Sequence, residues 1–175
     1  MNYRKSGQAG FTLLEVLIVV VITGILGVIA TPSWLNFLAN REVEAARDEL
    51  HQGIRQAQTQ AIANGAAWQF SIRESSDQVE WAVHQSGISW DAISTWQQLS
   101  PKIVLDLDNT SNAIRDGVHY IAFDFKGTVE QRYIITLEDR NSIADKKCVW
   151  IANLLGRIQN GKELPAPNRW GLKCF

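Results

Sequence analysis

Two hydrophobic periodicities divide the chain. Residues 11–30 form a twenty-residue apolar run in which Glu15 is the only charge and Thr12 and Thr23 are the only other polar side chains. That length matches one crossing of a bilayer hydrocarbon core. After Pro32 the helical period continues but becomes amphipathic. Val43, Ala46, Leu50, Ile54, Ala57 and Ala61 recur at spacings of three and four, while Arg41, Glu42, Glu44, Arg47, Asp48, Glu49, Gln52 and Gln56 fill the other faces. Asn64-Gly65 supplies the stop, because glycine accepts the left-handed conformation of a helix C-cap. The pattern predicts one helix over residues 11–64, with Gly24, Gly27 and Pro32 as positions where it can bend or loosen.

Beyond Gly65 the period falls to two. Alternating or continuous apolar runs predict strands at 67–72, 79–83, 103–105, 119–125, 129–137 and 148–155. Lys126-Gly127-Thr128 between two of them reads as a hairpin, and residues 85–101 as a longer loop holding Trp90 and Trp96. The expected architecture is α+β. A long N-terminal helix, transmembrane in its first half (11–31) and amphipathic in its second (32–64), is capped by an antiparallel β-sheet head over 65–175.

Length and composition narrow the class. The chain has 175 residues, 46% hydrophobic and 20% charged, which fits one ordinary domain and excludes a disordered or collagen-like chain. The net charge of −1 averages over opposed regions. Residues 1–10 carry +2, residues 11–64 carry −2, residues 65–139 carry −6 and residues 140–175 carry +5. An acidic body with a basic C-terminal end is a real asymmetry.

The apolar run is too long for the core of a secretory signal peptide, and its small residues, Ala9-Gly10, precede it rather than follow it. Arg4 and Lys5 lie only on its N-terminal side, which puts that end in the cytoplasm and the rest outside. An acid at Glu15 costs ~2.5–3.5 kcal/mol at mid-bilayer and less near the surface. Something must neutralise it.

Gly10-Phe11-Thr12-Leu13-Leu14-Glu15-Val16-Leu17-Ile18-Val19 closely resembles the class III prepilin signal of type IV pilins and type II secretion pseudopilins. The resemblance implies that a prepilin peptidase cuts between Gly10 and Phe11, releasing residues 1–10 as a leader, and that Phe11 is then N-methylated. It implies that Glu15 meets the cationic amine of a neighbouring subunit in a filament; a paired carboxylate is tolerated in low dielectric and sets register. Pro32 falls where the family carries a helix-bending proline. The head is similar to that of GspH/FimT-type minor pilins and pseudopilins. The segments concerned are Glu49-Leu50 through Ile62, the 121–128 stretch and Leu155-Gly156-Arg157-Ile158. Their frequent Gly-Arg-x-Arg element is incomplete here, since Gln159 replaces the second arginine. The implied function is a minor pilin or pseudopilin that initiates or caps a type IV pilus or a type II secretion pseudopilus. The alternative is a DNA-binding minor pilin for uptake. The implied partners are prepilin peptidase, other pilins and the inner membrane, with DNA as the further candidate. The head would face the periplasmic side.

Cys148 and Cys174 are the only cysteines. They cannot make a four-thiolate zinc site. On the extracytoplasmic side they are expected to pair, the alternative being two free thiols. A bridge would close a loop of about 25 residues and contribute roughly 3–3.5 kcal/mol in the chain-entropy model. The basic end, with Arg157, Lys162, Arg169 and Lys173 interleaved with Trp150, Trp170 and Phe175, suits an anionic partner such as DNA. Charge balance against the protein's own acidic head is the favoured reading. No nucleotide loop, zinc-protease or serine-nucleophile motif is present, so neither enzyme activity nor a cofactor is expected. His51 and Arg55 read as an exposed polar face. Asp106, Asp108, Thr110 and Asn112 have the spacing of half a calcium loop, but Gly117 stands where the bidentate acid belongs. That stretch reads as a solvated loop, and no metal is expected.

Overall fold

The computed structural model describes residues 11–167, 173 and 174. The proposed leader with Gly10, and Arg169, Trp170 and Phe175 of the basic end, lie outside these residues. The described chain is one helix, α1 (Leu13–Asn64), followed by nine strands. Two compact units share it, Met1–Asn36 and Phe37–Phe175.

In the second unit, every member of the apolar stripe from Val43 to Ala61 is at most 5% exposed. The helix ends as expected. Gly65 takes a φ of 60°, and the Ala66 N–H returns to the Ala61 carbonyl at 3.3 Å, the capping bond of a Schellman motif. Two antiparallel sheets pack with this part of α1. The first has the order β3 (Gln97–Gln98), β2 (Gln78–Gln85), β1 (Trp68–Ser75), β6 (Val118–Phe123), β5 (Ala113–Arg115). The second has the order β4 (Ile103–Leu105), β7 (Ile134–Asp139), β8 (Lys147–Ile151), β9 (Ile158–Lys162). One core joins them to the helix, with Phe70, Ile72, Phe123, Ile135 and Ile151 fully enclosed beside Leu50 and Ile54.

The head therefore has two sheets and nine strands among the described residues, not one sheet of about six. Three expectations fail for physical reasons. The 124–128 segment is a turn but not a hairpin. Asp124 accepts bonds from the Lys126 and Thr128 amides and the Thr128 hydroxyl, and Gly127 takes a φ of 76°. β6 already has β1 and β5 on its two sides, so the chain crosses to the second sheet, where the Val129 N–H bonds the Leu154 carbonyl. The expected strand over 148–155 stops at Ile151, and a turn through Gly156 (φ 75°) starts β9. The 106–112 segment is solvated only in part, at Leu107, Asp108 and Ser111. Asp106 and Asn109 are buried, and Asp106 binds the Lys146 ammonium at 2.8 Å. Burial works against the charged form of Asp106, but the bonds from Lys146 and Asn109 outweigh it and hold its carboxyl below the usual value.

The disulfide joins Cys148 on β8 to Cys174, with Cα atoms 6.0 Å apart and both side chains buried. It tethers the segment after β9 to the outer face of the second sheet, where Ile134 and the partly buried Trp150 pack around it. Trp81 is a core residue, whereas Trp68 and Trp150 are only partly buried.

Candidate functional site

The first unit is helix without packing. From Leu13 to Ile29 its large apolar side chains are between 47% and 84% exposed. An 18-residue window of this helix reaches a mean hydropathy of 2.8 with none of it buried, long and apolar enough to cross a membrane. A surface of that kind is stable only against lipid or other apolar helices. The hydroxyls within it are satisfied internally, Thr23 by the Val19 carbonyl and Thr31 by the Gly27 carbonyl at 2.7 Å. Pro32 lies inside α1 and supplies no N–H to the carbonyl four residues back.

Thr12 starts the helix. Its hydroxyl and its carbonyl both accept from the Glu15 N–H, at 3.2 and 3.1 Å. Thr12-Leu13-Leu14-Glu15 has the Thr-x-x-Glu spacing of a capping box, a role for Thr12 that the apolar reading passed over. Glu15 sits in the first turn, where the helix dipole favours an anion. Its carboxylate has no cationic partner among the described residues. Phe11 is 81% exposed immediately before the cap. The elements for pairing with an outside amine are thus set side by side.

The basic end is not gathered into one patch. Arg140 pairs with Asp77 at 3.0 Å, and Lys146 with Asp106 and Glu138 at 2.8 and 2.6 Å. Lys147 is buried within 3.9 Å of Glu44 and of Asp145. Arg157 and Lys162 are exposed but flank opposite ends of β9, and Lys173 lies near Lys162, its carbonyl accepting from the Leu164 N–H. His51 and Arg55 do not form a bare polar face. His51 bonds the Asn160 side chain of β9 at 2.6 Å, and Arg55 approaches the Gln58 carbonyl oxygen. No group of three or more His, Cys, Asp or Glu side chains among the described residues could hold a metal.

Residues 5–31 match the model of the prokaryotic N-terminal methylation motif. The chain therefore carries a prokaryotic N-terminal methylation motif. The type IV major fimbrial protein FimA of Dichelobacter nodosus is 48% identical over 48 residues, 27% of this chain and 31% of FimA. A second FimA of that organism matches to the same extent. The chain thus spans about a third of the length of the curated relatives it matches. Among solved structures, the type IV minor pilin FimU of Pseudomonas aeruginosa aligns at 16% identity with a TM-score of 0.48, over 70% of this chain and 90% of FimU. In this chain the methylation motif heads an apolar helix, and the helix leads into antiparallel sheets.

Proposed function

We propose that this chain is a minor pilin or pseudopilin, a non-enzymatic subunit that initiates or caps a type IV pilus or a type II secretion pseudopilus. Prepilin peptidase would release residues 1–10 and expose Phe11 for methylation. Residues 11–31 would cross the inner membrane until assembly, with the head on the periplasmic side. The observation that carries the reading is Glu15, a carboxylate without a cationic partner among the described residues, in the first turn of an exposed apolar helix. In a bundle of such helices the carboxylate would be costly unless a neighbour's amine met it, so it selects one register of assembly. The fimbrial match favours filament assembly without deciding between a shaft and a tip position. A deletion strain is expected to lose filaments or to secrete poorly, and the wild-type gene is expected to restore them. Normal filaments and normal secretion in the deletion strain would contradict the proposal.

DNA binding is the second reading. Arg157, Lys162 and Lys173 are exposed and make no ion pair among the described residues, which favours it. Their spread along β9 and the internal pairing of Arg140, Lys146 and Lys147 favour charge balance instead. Charge reversal at Arg157, Lys162, Arg169 and Lys173 tests it. Salt-sensitive DNA affinity that disappears in the mutant supports uptake, and no affinity at low salt removes it.

A further inference from the structure

The outer face of the first sheet, turned away from α1, is polar and yet largely buried. Gln69 and Ser71 of β1 lie opposite His84 and Ala82 of β2, and Ser71 lies opposite Tyr120 of β6. Gln69, Ser71 and His84 are at most 8% exposed. The loop after β2, through the short 3-10 turn Trp90–Ala92, passes near this face and brings the Trp90 ring 5.7 Å from His84, edge to face. Between that loop and the β5–β6 turn a cavity of ≈ 230 Å³ remains, lined by Gln69, Ser89, Trp90, Arg115, Asp116 and Tyr120 among others.

The chemistry of the lining is specific. Trp90 and Tyr120 have ring centroids 6.1 Å apart, inclined at 43°. They form a corner with two apolar faces and leave no parallel slot for a planar base. The floor is a hydrogen-bonded chain. His84 Nδ1 donates to the Gln85 carbonyl at 3.0 Å, the Ser71 hydroxyl donates to His84 Nε2 at 3.0 Å, and Gln69 Nε2 donates to the Ser71 oxygen at 3.3 Å. Gln69 thereby spends its amide N–H on the wall. The residue itself is 7% exposed and lines the cavity. At the rim Arg115 and Asp116 lie 3.7 Å apart and both are exposed, so the mouth offers a donor beside an acceptor with no net charge.

We infer that this pocket binds a neutral sugar residue, such as the terminal unit of a surface glycan. A pyranose presents C–H faces that pack on Trp and Tyr rings, and hydroxyls at its edges that need both donors and acceptors. Concave sites with aromatic walls and a few convergent polar groups suit such amphipathic ligands. An anionic ligand would meet the Asp116 carboxylate, and an aliphatic ligand would make no use of the polar groups at the rim. The inference concerns the head alone and stands whether or not the chain enters a filament.

The test uses the full chain in a detergent without a sugar headgroup. It is titrated with glucose, galactose, mannose and N-acetylglucosamine, up to about 50 mM, and followed by saturation-transfer NMR and tryptophan fluorescence. Saturable binding of at least one sugar is expected. Trp90→Ala should weaken it about tenfold or more, because an aromatic wall is lost. Asp116→Asn keeps a residue that accepts the local φ of 52° and should also weaken it, with an unchanged circular dichroism spectrum. No saturable binding by the wild type overturns the inference, as does binding that survives both substitutions. Displacement of the bound sugar by an oligothymidylate would also overturn it, assigning the corner to nucleic acid.

Discussion

At Gly53 the helix lies so close to the first sheet that a Cβ would fall 2.7 Å from the Trp81 ring and 2.8 Å from the Phe70 ring. The two rings stack on each other, and Trp81 is further held by its Nε1–H bond to Glu49 at 2.9 Å, so neither has room to retreat. Alanine would gain about 1 kcal/mol in helix propensity over glycine, whereas overpacking costs about 1–3 kcal/mol. Gly53→Ala is expected to lower the stability of the head by up to about 2 kcal/mol in thermal or denaturant unfolding. Gly24→Ala, where nothing lies within 4 Å, should leave that transition in place. Two buried histidines set a pH dependence. Burial lowers the pKa of His84 and of His119 from 6.5, opposed by the Gln85 carbonyl at the first and by the Glu74 charge at the second. Both rings are therefore kept neutral in the fold, while the unfolded chain takes up protons near pH 6.5. This stabilisation is complete above that pH and is lost as pH falls toward the folded values. The melting temperature should drop between about pH 7 and pH 5, and the drop should shrink in a His84→Gln/His119→Gln double variant.

At the scale of elements, the disulfide and Gln58 bind segments that the two sheets leave loose. The bridge spans 26 positions, so Cys148→Ser should cost about 3 kcal/mol in the chain-entropy model. The unreduced protein should resist alkylation, and equal labelling with and without reductant would contradict the pairing. Gln58 reaches from α1 to the Gly127 and Gly156 carbonyls at 2.9 and 3.0 Å, tying the 124–128 turn to the turn before β9. Much of this level was legible in the sequence. The stripe from Val43 to Ala61, the Asn64-Gly65 stop, and β1, β2 and β4 follow from local period and turn chemistry, which act over a few residues. The partition into two sheets was not legible. A glycine turn between apolar runs looks the same whether the next strand pairs back or crosses over, and β6's pairing with β1 is decided some fifty residues away. β5 and its Asp116-Gly117 turn, with φ of 52° and 78°, were hidden because three-residue strands are too short to show a period. The Gln69–Ser71–His84 floor escaped for a related reason: polar residues on alternate strand positions read as solvent-facing until a loop is seen to cover them.

For the whole molecule, the head and the apolar helix pose different physical problems. The head has its own core and a disulfide, and Arg73, Arg140, Lys146 and Lys147 are held in ion pairs. The first unit carries exposed apolar surface and one carboxylate that has no cationic partner among the described residues. Glu15→Ala should leave membrane insertion intact or slightly improved, because a carboxylate no longer enters lipid. It should impair incorporation into filaments, read as the amount of variant in the sheared fraction. Normal incorporation would contradict the pairing of Glu15 with a neighbour's amine. The assembly reading also requires that the amine be carried by Phe11 and not by Met1, ten residues further from the helix cap. The most direct measurement is mass spectrometry of the N-terminal peptide from filament-associated protein. A peptide beginning at N-methylated Phe11 is the predicted result; an intact Met1 terminus on assembled protein would contradict the account.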